Sequence, residues 1–175
     1  MIQNNDMTKL LFLIFLFVLV SCQSPVEYQP VNEYVYFNSF ESPQDTTGWW
    51  GYAGMALYDD AAPGGGSKSL HVSGGCIYPH AVYDLGPMPG EITLSVEAWG
   101  KALQHAGGVA IVKDFMDSEN YQSIGFTVDQ PEWTFYKSDE VLVVEKGENL
   151  SIHINAGGFV PAAILVDLLT IREIK

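Results

Sequence analysis

Basic residues are scarce in this chain. It has 8 Lys and Arg against 21 Asp and Glu, a formal net charge of −13. That balance excludes nucleic acid as a partner, because a phosphate backbone is held by clustered Lys and Arg and no run here supplies them. Cysteine is nearly missing: two residues cannot make a disulfide framework or a four-thiolate zinc site. The longest apolar run, Leu10 to Val20, has eleven residues, short of the roughly 20 that a membrane-spanning helix requires. Charge is sparse overall at 17%, while apolar residues make 47%, which excludes disorder for most of the chain. What is plentiful is Gly (17), Tyr (9), Phe (9) and four Trp, the composition of a turn-rich all-β domain.

The short apolar run fits the hydrophobic region of a secretory signal peptide, with Lys9 as its charged flank and Asp6 as an irregular feature. The run ends in Leu19-Val20-Ser21-Cys22, which resembles the bacterial lipobox, where the cysteine is acylated and becomes the new N-terminus. The resemblance implies a leader over 1–21 and a lipidated Cys22. It also implies an anchor of more than one acyl chain, which holds a protein stably where a single chain does so only marginally. Gln23 follows the cysteine, rather than the Asp that holds many lipoproteins at the inner membrane, which points to the outer membrane without choosing a face. Residues 22–33, with Pro25 and Pro30, read as a tether, and 34–175 as one domain. Lipidation of Cys22 leaves Cys76 without a partner, as a buried structural thiol.

From Tyr34 onward the chain reads as strands between Gly/Pro turns. Ile92 to Lys101 is the clearest. Ile92, Leu94, Val96 and Ala98 share one face, and Thr93, Ser95, Glu97, Trp99 and Lys101 the other. Tyr121 to Val128 and Leu150 to Ala156 alternate in the same way. Further strands are expected over Tyr34–Phe40, Lys68–Ser73, Ala81–Leu85, Gly108–Phe115, Trp133–Ser138, Glu140–Glu145 and Ala163–Ile174. No stretch has a helical period with caps. The expected fold is all-β, a two-sheet antiparallel sandwich of the jelly-roll kind.

The outward residues carry the functional expectation. Trp99 stands with Glu97; Tyr121 points outward if Ile124 and Phe126 point inward; His153 and Asn155 share the polar side of a late strand. Were these strands neighbours in one sheet, flat rings would lie beside hydrogen-bonding groups. Sugars need both: a ring for the C–H face, and polar side chains for the hydroxyls. Trp99 could instead fill space beneath a loop. In Gly48-Trp49-Trp50-Gly51-Tyr52, Trp49 is expected to pack, whereas Trp50 and Tyr52 could pack or face a ligand.

The order of segments resembles the jelly-roll carbohydrate-binding modules of families four, nine and twenty-two, of the galactose-binding-like type. The matching segments are Asn38-Ser39-Phe40-Glu41 followed by Gly48-Trp49, then Asp60 to Leu70 with its Gly64-Gly65-Gly66 loop, then Tyr83-Asp84-Leu85. Gly90 to Ser95, Trp133-Thr134 and the closing Val166-Asp167-Leu168-Leu169-Thr170-Ile171 complete the order. The resemblance implies non-catalytic binding of an oligosaccharide or polysaccharide. It also implies a structural calcium, held by Glu41, Asp167 and backbone carbonyls near Ser67 or Lys68. One departure stands out: Leu168 occupies the place of the second Asp in the family's closing pair.

Other chemistries find no pattern. Asp59 and Asp60 are adjacent, and adjacent residues on a strand face opposite ways, so they are no glycosidase pair. There is no G-x-S-x-G elbow. The four His, at 71, 80, 105 and 153, lack metal-ligand spacing in sequence. A binding module is therefore the primary expectation, with a structural or adhesion module docking another envelope protein as the alternative.

Overall fold

The computed structural model describes residues 34–75, 80–117, 119–157 and 160–175, all within one compact unit, Asn32–Lys175. The leader, Cys22, the tether and Cys76 lie outside the described residues.

Among the described residues, twelve strands form two antiparallel sheets. In chain order they are β1 (Tyr34–Asn38), β2 (Trp49–Gly51), β3 (Gly54–Tyr58), β4 (Ser69–Gly74), β5 (His80–Pro87), β6 (Ile92–Gln104), β7 (Gly107–Lys113), β8 (Gln122–Val128), β9 (Thr134–Lys137), β10 (Leu142–Val144), β11 (Asn149–Ala156) and β12 (Ala162–Glu173). The larger sheet runs β10-β6-β12-β4-β3, with β1 on β12 and β9 on β6; the smaller runs β2-β5-β11-β7-β8. One 3-10 turn, Pro43–Thr46, follows β1. The sandwich and the jelly-roll class are as the alternation of residues implies.

The core lies between the sheets. Leu94, Val96 and Ala98 of β6 and Ile164, Val166, Leu169 and Ile171 of β12 meet Leu150, Ile152 and Ile154 of β11 and Val109 and Ile111 of β7. Each is fully or almost fully buried. Burying one such aliphatic side chain contributes about 1.5–3 kcal/mol, which fixes which face of each strand looks outward.

Two strands fall where the sequence reading expected none. Trp49 to Gly51 is a three-residue strand paired with β5, which makes Trp50 an edge residue of the smaller sheet. Gly54–Tyr58 pairs with β4. Its alternation was present in Met55 and Leu57, both packed against the core, but a five-residue strand that opens on a glycine carries little signal. Trp49 packs as expected, within 6.0 Å of the Phe40 ring and 5.5 Å of the Tyr83 ring.

The segment Asn38 to Glu41 shows why its residues are spaced as they are. The Asn38 side chain accepts the Phe40 N–H at 2.8 Å and donates to the Asp45 carbonyl at 2.8 Å. Those bonds stabilise a left-handed Phe40, at φ 53°, and drive its ring into the core. Glu41 then points at the Gly-rich loop.

Candidate functional site

The sheet that presents a groove is the smaller one. Along β11, Leu150, Ile152 and Ile154 face inward, so Ser151, His153 and Asn155 face outward. Cross-strand pairing sets His153 between Val82 and Ala110, and Asn155 between His80 and Gly108. On β8, Gly125 lies opposite Ala110, and Thr127 opposite Gly108. The floor is therefore low at its centre, where Gly108, Ala110 and Gly125 raise no large side chain. Gly125 is required there, since a Cβ would sit 2.2 Å from the Val109 carbonyl oxygen.

Rings stand at the two edges. Trp50 on β2 is 46% exposed, and Tyr121, just before β8, is 49% exposed. With neighbouring strands about 4.8 Å apart, the four steps from β2 to β8 carry this face across about 19 Å. The Trp50 indole N–H donates to Asp84 Oδ2 at 2.9 Å, which fixes the plane of the ring.

The turn after β7 rises from the floor and carries Phe115 over it. The Phe115 and His153 ring centres are 4.5 Å apart. A hollow of about 370 Å³ lies on one side, lined by Trp50, Asp84, Asp114, Met116, Asn149 and Ser151 among others. A second, of about 410 Å³, lies towards His80, Asn155, Tyr121, Ser123 and Thr127. Phe115 borders both.

Two imidazoles form the polar centre. His153 is only 4% exposed, with Nε2 at 2.9 Å from the Ser151 hydroxyl and Nδ1 at 3.4 Å from His80 Nδ1. Burial, then the neighbouring His80, lowers the His153 pKa to about 4, with Asp84 opposing weakly. Burial lowers His80 as well. His153 is thus neutral near pH 7, able both to accept and to donate a hydrogen bond.

The structure brings Trp50, Tyr121, His153 and Asn155 to one face. It does not bring Trp99 and Glu97 there. Both lie on β6, in the other sheet, on its outer face. Trp99 is half-buried and packs edge-on against Phe135 at 5.9 Å. Glu97 is 8% exposed and bonded to Arg172, whose guanidinium also lies 4.5 Å over the Tyr34 ring. The expectation that these strands share a sheet failed because alternation assigns faces within a strand and says nothing about which strands pair. His80, Asp84, Ser151 and Phe115 were missed. The first two alternate with the core-facing Ala81 and Tyr83 on one strand, a usable signal; Phe115 was read as the end of a strand, although Asp114 and Asp117 around it are turn residues.

The calcium set behaves differently from the expectation. Glu41 Oε1 accepts the backbone N–H groups of Gly66 and Lys68, and Oε2 accepts the Ser67 N–H and hydroxyl. All four acceptor positions of the carboxylate are filled by the loop. Asp167 is fully buried, accepting the Ala62 N–H at Oδ2 and the Leu168 N–H at Oδ1. The two carboxylates flank the loop closely enough that a Cβ on Gly65 or Gly66 would overlap one of them. Ser67 and Lys68 offer N–H groups where the family pattern implied carbonyls, and the Lys68 ammonium pairs with Asp59. Calcium wants six to eight oxygen ligands, so this donor-rich cradle does not fit it. Asp60, meanwhile, turns away from Asp59 to bind Lys101 and the Trp133 indole.

Solved structures share this architecture. The xylan-binding domain of family 22 from Paenibacillus barcinonensis superposes with a TM-score of 0.62 at 16% identity, covering 82% of this chain and 96% of that one. The chain shares the two-sheet jelly-roll fold of that domain. The C-terminal family 22 module of a Clostridium thermocellum xylanase gives a TM-score of 0.58 at 17% identity, over 82% of this chain and 96% of the module. A two-module Clostridium thermocellum xylanase complexed with xylohexaose matches at 0.62 and 15%, the chain spanning 29% of it. No protein-family model matches this sequence, and no curated protein matches it.

Proposed function

We propose that the protein binds glycan chains, without chemistry, along the outer face of the five-stranded sheet. The observation that carries this reading is the pair of half-exposed rings, Trp50 and Tyr121, flanking a low floor that presents His80, Asn155, Ser123 and Thr127, with His153 buried beneath Phe115. A chain laid across the strands would stack on the rings at either edge and place its hydroxyls on the polar groups between. Xylan-type chains are the first ligands to try, because two solved domains of the same fold are named as xylan-binding. The groove's carboxylates serve its walls. Asp84 holds the Trp50 indole, Asp114 accepts the Asn149 N–H, and Asp117 binds Glu119 and Asn120. The proposal includes the anchor: a lipid on Cys22 would display the domain at the cell envelope, in the outer membrane.

Calorimetric titration with xylohexaose and with a panel of soluble polysaccharides tests the reading. Trp50→Ala should weaken binding at least tenfold, and Trp99→Ala should leave it unchanged. No heat with any glycan, or loss in Trp99→Ala alone, would overturn it. In that event the outer face of the larger sheet, with Phe135 half exposed beside Trp99 and Phe37 half exposed on β1, favours the docking of another envelope protein.

A further inference from the structure

We infer that His80 and His153 form a binding site for a transition-metal ion of the zinc type on the floor of the groove. The two Nδ1 atoms face each other at 3.4 Å. That is long for an N–H···N hydrogen bond, whose usual range is about 2.7–3.2 Å by analogy with N–H···O. It is the separation expected of two ligands of one ion: nitrogens each about 2.0–2.1 Å from a tetrahedral zinc stand about 3.3–3.4 Å apart. The rings meet almost perpendicular, at 80°, with centres 5.5 Å apart.

The surroundings match those of a metal-binding imidazole. A ligating histidine is usually held through its other nitrogen, which fixes ring orientation and tautomer. The Ser151 hydroxyl sits 2.9 Å from His153 Nε2, and that hydroxyl is itself 3.4 Å from the Val112 carbonyl. Phe115 covers the His153 ring and restricts its rotation.

Two strands supply the ligands, and their register makes the pair. His80 is directly opposite Asn155, and His153 is two residues earlier on the same face of β11. Among the described residues no third His, Cys, Asp or Glu joins them. A tetrahedral ion would then keep two positions for water or for hydroxyl groups of a bound ligand, one more than zinc sites with three protein ligands leave open. Imidazole nitrogen selects zinc, copper or nickel over calcium and magnesium, which prefer oxygen.

The test needs no glycan, so it stands apart from the sugar reading. The purified protein, stripped with chelator, is titrated with zinc(II) alone, and in parallel with calcium(II) and magnesium(II). Cobalt(II) serves as a spectroscopic stand-in, giving visible bands whose intensity reports coordination number. The expected result is one zinc per chain, no competition from calcium or magnesium, and at least a tenfold loss of affinity in each of His80→Gln and His153→Gln. His153 is buried, so its variant is checked by circular dichroism; should it misfold, the half-buried His80→Gln decides. Absence of zinc binding, or zinc affinity that survives His80→Gln, would overturn the site.

Discussion

The Trp50 indole is tied to the Asp84 carboxylate across the β2–β5 pair, at 2.9 Å. The bond joins a half-exposed ring on the edge strand to a strand in the interior of the same sheet. An edge strand of three residues has few ladder bonds of its own, so this side-chain bond does much to set the ring plane. Asp84→Asn keeps the shape but weakens a charge-assisted bond; Asp84→Ala removes it. Glycan affinity should fall roughly two- to fivefold in the first and approach that of Trp50→Ala in the second, with melting temperature nearly unchanged. Calorimetry with the best-binding oligosaccharide reads both. A Trp50→Phe variant, which retains a stacking face without the N–H, should fall between wild type and Trp50→Ala.

The Glu97–Arg172 pair separates a structural role from a binding one. Glu97 is almost buried, and Arg172 bridges it to the Tyr34 ring, joining β6, β12 and β1 on the outer face of the larger sheet. Hydrogen bonds to charged groups contribute about 1.5–3 kcal/mol, and an unpaired partner left behind adds a desolvation cost. Glu97→Ala should therefore lower stability by about 1–3 kcal/mol in urea unfolding. Glycan affinity should stay constant, since the groove lies on the other sheet.

Much of the architecture was legible because apolar alternation is strong wherever one strand face meets the core, as in Ile92 to Ala98 or Leu150 to Ile154. The groove was legible only in part. His153 and Asn155 were assigned to the correct face from their own strand. Trp99 met the same criterion and belongs to the opposite side of the sandwich, because jelly-roll pairing places β6 beside β12 and β11 beside β5 and β7. Local pattern carries no record of that long-range choice. The His80–His153 contact joins residues 73 positions apart, and sequence spacing alone could not bring it to notice.

Leu168 sits at the bulge where β12 breaks register between Asp167 and Thr170. Its φ is 49°, in the left-handed region, which costs an L-residue with a bulky side chain roughly 1–2 kcal/mol and costs Gly or Asn less. The side chain is only half-buried, so little packing is lost on shortening it. The same position holds Asp in the sequence pattern this chain resembles, another residue tolerant of that conformation. Leu168→Asn should raise stability by about 0.5–1 kcal/mol, and Leu168→Gly by a similar or smaller amount once its greater freedom in the unfolded chain is counted. Loss of stability in both would show that the leucine side chain contributes more packing than its exposure implies.

Glu41 gives the domain a defined acid response. The Ser67 N–H, with those of Lys68 and Gly66 and the Ser67 hydroxyl, holds its carboxyl below the ordinary value of 4.5. A carboxyl whose folded pKa lies below its unfolded one binds more protons when unfolded, so its contribution is fully present above pH 4.5. As pH falls through the folded value that contribution is lost. Thermal melts from pH 7 to pH 3 should therefore show wild type losing more stability on acidification than Glu41→Gln, the two converging at low pH. The variant should be less stable at pH 7, because an amide presents an N–H₂ where the loop offers only donors. The filled acceptor set also predicts that millimolar calcium leaves the pH 7 melting temperature of wild type unchanged. A calcium-dependent rise that disappears in Glu41→Gln would mean that the loop turns its carbonyls inward to hold the ion.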